Sequence, residues 1–112
     1  MEERVAISLL IDFYGALLTE RQRQCLELHH EDDMSYGEIA EELGVSRQAV
    51  HDTMQRALQL LHEYEAKLHA VAHYEAREKV MKAMATELDA PSISRERLRG
   101  LLAQMERSEE RR

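Results

Sequence analysis

The segment Ser46-Arg47-Gln48-Ala49-Val50-His51-Asp52-Thr53-Met54-Gln55 carries side chains whose types and spacing suit base recognition. At helical spacing Arg47, Gln48, His51, Asp52 and Gln55 lie opposite Val50, Met54, Ala57, Leu58 and Leu61. Arg and Gln near a helix N-terminus can make bidentate contacts to guanine and adenine edges in a major groove. The same residues are also ordinary solvated surface types, so composition leaves both uses open. A second cluster is His62, His69 and His73, with Glu65 beside it. His69 and His73 at i, i+4 could face one transition metal, but no Cys accompanies them and surface histidines are far more often solvated. No metal or other cofactor is assigned. Cys25, flanked by Gln24 and Leu26, reads as a small core residue rather than a reactive thiol, because no motif sets a base beside it. The sequence has no Gly-rich phosphate loop, no nucleophile elbow and no HExxH, so no enzyme is expected.

Charge limits the first of these chemistries. DNA affinity is largely neutralisation of phosphates by Lys and Arg, and the chain has 15 Lys plus Arg against 22 Asp plus Glu, a formal charge of −7. Residues 1–45 hold eleven acids and three bases, a local −8. Residues 46–62 hold Arg47, Arg56 and Asp52, for +1. Without a basic stripe, only weak duplex DNA binding is expected. The single cysteine cannot form an internal disulfide, which fits a reducing cytosol. No apolar run is long enough to span a bilayer, and no secretory leader is evident. The expectation is a soluble, cytoplasmic protein.

The elements that hold Ser46–Gln55 in place are written almost residue by residue. Ser35, with Glu38 three positions on, has the pattern of a reciprocal capping box. Ile39, Ala40 and Leu43 then fall on one face, and Gly44 stands where a helix ends in a left-handed residue. Val45 plugs the turn and Ser46 caps the second helix. Two short helices joined by such a Gly turn are a helix-turn-helix. Ala40 and Gly44 are expected at its tightest crossing.

The rest reads as all-α, with four Gly, one Pro and no long β-branched run in 112 residues. Val5, Leu9, Leu10, Phe13, Tyr14 and Leu17 define a first helix from about Glu2 to Leu18. Thr19 and Gln22 form another capping-box pattern, opening a helix that ends near His29 or His30. From Ser46 to Asp89 there is neither Pro nor Gly, which permits one helix of about 40 residues, roughly 60 Å long. Its heptad seam runs through Leu61, Tyr64, Leu68 and Val71. Asp89-Ala90-Pro91-Ser92 breaks the helix, and Ser94 starts a last one with Leu98, Leu101, Leu102 and Met105 on one face. The organisation expected is a helix-turn-helix head over 1–62, a long helix extension over 63–90, and a C-terminal helix and charged tail over 91–112. The seam needs a cover. Either the C-terminal helix folds back on it or, the favoured expectation, a second copy makes a homodimer.

The stretch from Leu17-Leu18-Thr19 to Lys67-Leu68 resembles region four of bacterial sigma factors. The likeness is carried by Leu18-Thr19, Gln22-Arg23, Glu38-Ile39-Ala40, Leu43-Gly44, Val45-Ser46-Arg47 and Val50. Thr53 stands where sigma modules usually have an aliphatic residue, with Met54 adjacent to substitute for it. More specifically, DFYGALLT, DDMSYGEIAEE, VSRQAVHD and EYEAKL resemble the YlxM-type small helix-turn-helix proteins. The resemblance covers about residues 5–70. It implies a sigma-region-four-like head and a non-enzymatic accessory or regulatory role in the signal recognition particle pathway. Partners would be the particle's GTPase, its RNA, or both. The alternative is a DNA-binding transcriptional regulator using Ser46, Arg47, Gln48, His51 and Gln55.

Overall fold

The computed structural model describes residues 3–110, with side chains described for residues 6–107. Six α-helices and one short 3-10 turn make up its regular structure, with no strand among the described residues. The protein is all-α. The helices are α1 (Glu3–Tyr14), α2 (Glu20–His30), α3 (Tyr36–Leu43), α4 (Arg47–Leu68), α5 (Ala70–Leu88) and α6 (Arg95–Glu110). The chain divides into two compact units, one up to His69 and one from Ala70.

In the first unit α4 packs against α1, α2 and α3. Tyr14, Cys25, Leu26, Ile39, Val50, Met54 and Leu61 are all but sealed from solvent. Each large apolar side chain so buried contributes about 1.5–3 kcal/mol. The Tyr14 ring also lies 6.0 Å from that of Tyr64, and its hydroxyl donates to Glu65 of α4.

The first helix differs from its expected face. It stops at Tyr14, and Gly15–Leu17 tighten into a 3-10 turn. Ile7, Leu10, Ile11 and Tyr14, at i, i+3, i+4 and i+7, point inward, followed by Leu18. Phe13 and Leu17 are exposed, because the tighter turn rotates Leu18 inward in place of Leu17. The side chain of Val5 and all of Glu2 lie outside the described residues.

The expected 40-residue helix is interrupted at His69, which takes the left-handed conformation (φ 56°, ψ 24°) while its N–H still donates to Glu65 at 2.9 Å. Absence of Pro and Gly permits a helix to continue without compelling it, and His is among the non-Gly residues that adopt this region singly. The head's last helix therefore runs past residue 62 to Leu68. The seam is not continuous either. Leu61 is sealed in the head, Tyr64 is half-buried, Leu68 is exposed on α4, and Val71 is buried on α5.

In the second unit α6 folds back onto α5. Val71 and Val80 are its buried apolar residues, and Leu98, Leu101 and Met105 are half-buried. Glu87 ties the connection: its carboxylate accepts the Ser94 N–H at 3.0 Å and pairs with Arg97 at 3.0 Å. Ser94 in turn caps α6, its Oγ accepting the Arg97 N–H at 3.1 Å.

Candidate nucleic-acid interface

Two caps and one left-handed residue set the direction of the N-terminal half of α4. Ser35 Oγ accepts the Glu38 N–H at 3.1 Å, and the Glu38 carboxylate accepts the Ser35 N–H at 2.9 Å. These bonds to the ionised form hold the Glu38 carboxyl below its usual range, the backbone N–H contributing most. Gly44 has φ 68°, and the Val45 N–H returns to the Ala40 carbonyl at 3.0 Å, closing α3 in a Schellman-like turn. Ser46 Oγ then accepts the Ala49 N–H at 3.0 Å.

Two expectations about this turn are corrected. A Cβ on Gly44 would meet nothing within 4 Å, so backbone sign rather than close packing calls for glycine there. Val45 is 39% exposed, because the turn projects it outward. Ala40 is buried, as a helix crossing requires.

The structure brings Arg47, Gln48, His51 and Gln55 together on the exposed side of α4, beside the capping Ser46. Gln48 Nε2 donates to Asp52 Oδ1 at 2.9 Å. His51 Nδ1 lies 3.6 Å from the same oxygen, and the His51 ring lies 6.1 Å from that of Tyr36 on α3. The opposite side of α4 is sealed: Val50, Met54 and Ala57 face the core.

Residues outside the expected set also reach this face. A shallow groove of about 320 Å³ runs between the start of α2 and α4, lined by Thr19, Arg21, Gln22, Asp52, Thr53 and Arg56. Asp52 and Arg56 also border a second groove of about 600 Å³ with Gln55, Leu58, Gln59 and His62. Arg21 belongs to the α2 start, which Thr19 and Gln22 cap reciprocally at 3.1 and 3.0 Å. Nothing in the spacing of Arg21 marks it, since its relevance depends on how α2 packs against α4.

Acidic residues are exposed on other segments of the head. Glu31, Asp32 and Asp33 of the α2–α3 connection are exposed, as are Glu41 and Glu42 on α3. His29 fastens that connection through Nδ1, 2.8 Å from the Met34 carbonyl oxygen. Cys25 is 1% exposed, and burial pushes its thiol pKa up, against the opposing charge of Arg21. No group of three or more His, Cys, Asp or Glu among the described residues could hold a metal ion. The helical i, i+4 geometry imagined for His69 and His73 is lost at the left-handed residue, which separates α4 from α5. No helix among the described residues is long and apolar enough to cross a membrane.

Comparison with known proteins agrees with this architecture. A family described as "Putative helix-turn-helix protein, YlxM / p13 like" (UPF0122) matches residues 1–100. A UPF0122 protein of Halalkalibacterium halodurans is 42% identical over 96 residues, covering 86% of this chain and 88% of the relative. Another, from Desulforamulus reducens, is 48% identical over 89 residues, 80% of this chain and 76% of the relative. A third, from Streptococcus gordonii, is 40% identical over 98 residues, 88% of this chain and 89% of the relative. With an intact helix-turn-helix and a match that covers the first unit and most of the second, the chain belongs to the UPF0122 family of YlxM / p13-like proteins.

Proposed function

We propose that the protein is a non-enzymatic accessory of the signal recognition particle pathway, working through contact of its head with the particle's GTPase, its RNA, or both. The charge of the head carries this reading: eleven acids against three bases over residues 1–45, with Glu31, Asp32, Asp33, Glu41 and Glu42 exposed. Such a surface attracts a basic protein face, which favours the particle's GTPase as the contact over its RNA, and repels a polyphosphate at long range. The particle as partner comes from the resemblance to YlxM-type proteins. The test is a titration of the purified particle protein, with and without its RNA, at physiological salt. Binding weakened by neutralising Glu31, Asp32 and Asp33 is expected, and no binding at micromolar concentration to either form overturns the reading.

The second reading, transcriptional regulation through duplex DNA, is favoured by one observation: Arg47, Gln48, His51 and Gln55 are all exposed on the first turns of α4. Nanomolar, sequence-selective DNA affinity lost in Arg47→Ala, together with no binding to the particle, would establish it in place of the first.

A homodimer belongs to the same proposal, its contact surface now on the second unit. A two-helix unit of about forty residues is too small to bury a self-sufficient core, and this one leaves Met81, Leu88 and Leu102 about half exposed. A second hairpin would complete a four-helix bundle. Light scattering at micromolar concentration is expected to give twice 13.0 kDa; a monomer mass overturns the dimer.

A further inference from the structure

We propose that the groove between the start of α2 and α4 is a phosphate-contact site for B-form DNA, with Arg21 and Arg56 as its cations and Arg47 meeting a phosphate on the opposite flank of α4. The inference deepens the second reading above and rests on it. Its first support is where the unengaged positive charge lies. Arg23 pairs with Glu27 at 3.6 Å and Arg97 with Glu87. Among the described residues, Arg21, Arg47 and Arg56 have no carboxylate within ion-pair distance, although acids outnumber bases in the chain by 22 to 15. Among the described residues of so acidic a head, Lys67 shares this lack of a carboxylate, but only Arg21 and Arg56 line one groove, where an anion can approach two guanidinium groups together.

The second support is shape. Arg21 and Arg56 come from different helices and line one concavity, with the side chains of Thr19, Gln22 and Thr53 as neutral hydrogen-bonding partners. Arg47 and Arg56 are nine residues apart on α4, a rise of about 13.5 Å. Nine residues are also about two and a half turns, so Arg47 and Arg56 lie on opposite flanks of α4 rather than at one point. A B-form major groove, about 12 Å wide, admits such a helix and brings backbone phosphates to its flanks. The A-form major groove is too deep and narrow for side chains to read, which selects DNA over duplex RNA. Asp52 also lines the groove, with its charge next to His51, and its repulsion keeps the affinity modest.

Three phosphate contacts predict a salt dependence of slope about −2.7 in log K against log salt. The experiment titrates a mixed-sequence 20-base-pair DNA duplex, and the RNA duplex of the same sequence, from 50 to 200 mM salt. Wild type is compared with Arg21→Gln, Arg56→Gln, Arg21→Lys and Arg23→Gln. Each Gln variant at position 21 or 56 is expected to weaken binding roughly tenfold at 50 mM salt and to reduce the slope by about one, equally for any DNA sequence. Arg21→Lys should keep the slope, and Arg23→Gln should change nothing. Circular dichroism and melting temperature matching wild type show that the fold is intact. Duplex binding unaffected by Arg21→Gln and Arg56→Gln overturns the groove while leaving nucleic-acid contact standing. Duplex binding absent at 50 mM salt overturns both, and RNA binding as tight as DNA with the same Arg dependence overturns the assignment to DNA. None of these outcomes bears on binding to the particle protein, which is measured separately.

Discussion

The head and the hairpin are both helical and made from similar residues, yet they are held together differently. In the head, four helices enclose Tyr14, Leu26, Ile39, Val50, Met54 and Leu61 at 2% exposure or less. In the hairpin, Val71 and Val80 retain 7% and 5% exposure, and most of the larger apolar side chains of α5 and α6 are half-buried or exposed. Every connection into a head helix after α1 is closed by a serine or threonine cap, and the α2 and α3 caps are reciprocal. In the hairpin Ser94 caps α6 in the same way, and the Glu87 carboxylate adds a tie across the connection. Stability should therefore concentrate in the head, where the helix-turn-helix must hold its side chains in register. The hairpin should open more readily.

The largest expected effect comes from truncating the head's centre. Met54→Ala should cost about 2–5 kcal/mol, the range for deleting a buried side chain whose cavity cannot collapse. Val80→Ala removes less volume from a thinner core and should cost under half as much. Hydrogen exchange makes the same comparison residue by residue: amides of α2 and α4 near Leu26 and Met54 should open only globally, those of α6 sub-globally. Equal protection in the two units would break the contrast.

Gly44→Val comes next. A β-branched residue at φ 68° is strained whatever the space around it, and a loss of about 1–3 kcal/mol is expected. Gly44→Asn should lose much less, because Asn tolerates the left-handed region. A melting temperature unchanged in Gly44→Val would remove the turn's conformational requirement.

This turn also shows what could be read from the sequence. Local chemistry was legible wherever one residue type has one use. The Ser35–Glu38 and Thr19–Gln22 boxes, the left-handed Gly44, the capping Ser46 and the break at Asp89–Ser92 all stand as the sequence indicates. The exposure of Arg47, Gln48, His51 and Gln55 on α4 followed from helical spacing alone. What was not legible depended on packing between elements. The break at His69 has no Pro or Gly to announce it. The inward face of α1 runs through Ile7, Leu10, Ile11 and Tyr14, which leaves Phe13 outside it, and the 3-10 turn after Tyr14 exposes Leu17. The groove containing Arg21 exists only because α2 lies beside α4.

A smaller effect is expected at the cap of α3. Ser35→Ala should cost about 1 kcal/mol and lower the head's melting temperature by about 4–8 °C. Glu38 adds a pH dependence. Its folded pKa is depressed, so its contribution is present above the unfolded value, about 4.3, and is lost as pH falls through the folded one. The gap in melting temperature between wild type and Glu38→Ala should be present at pH 7 and shrink steadily below pH 4. A gap independent of pH would mean that Glu38 acts through helix propensity and not through its ionised bond to Ser35.

The smallest expected effect tests the tie that Glu87 makes across the hairpin. Glu87 is 12% exposed and Arg97 63%, so the ion pair itself is largely screened and contributes under about 1 kcal/mol. The bond from the Ser94 N–H to the Glu87 carboxylate is different, because it satisfies a backbone donor just before α6 begins. Glu87→Gln keeps an acceptor for that N–H and removes only the charge, whereas Glu87→Ala removes both. Glu87→Gln should therefore behave like wild type at high salt and fall slightly below it at low salt. Glu87→Ala should speed hydrogen exchange at the start of α6 at any salt, with the head's exchange unchanged in both variants. If Glu87→Ala loosened the head as much as α6, the two units would be one cooperative structure and the contrast between them would fail. If neither variant changed α6, its fold-back would rest on the Leu98, Leu101 and Met105 face alone.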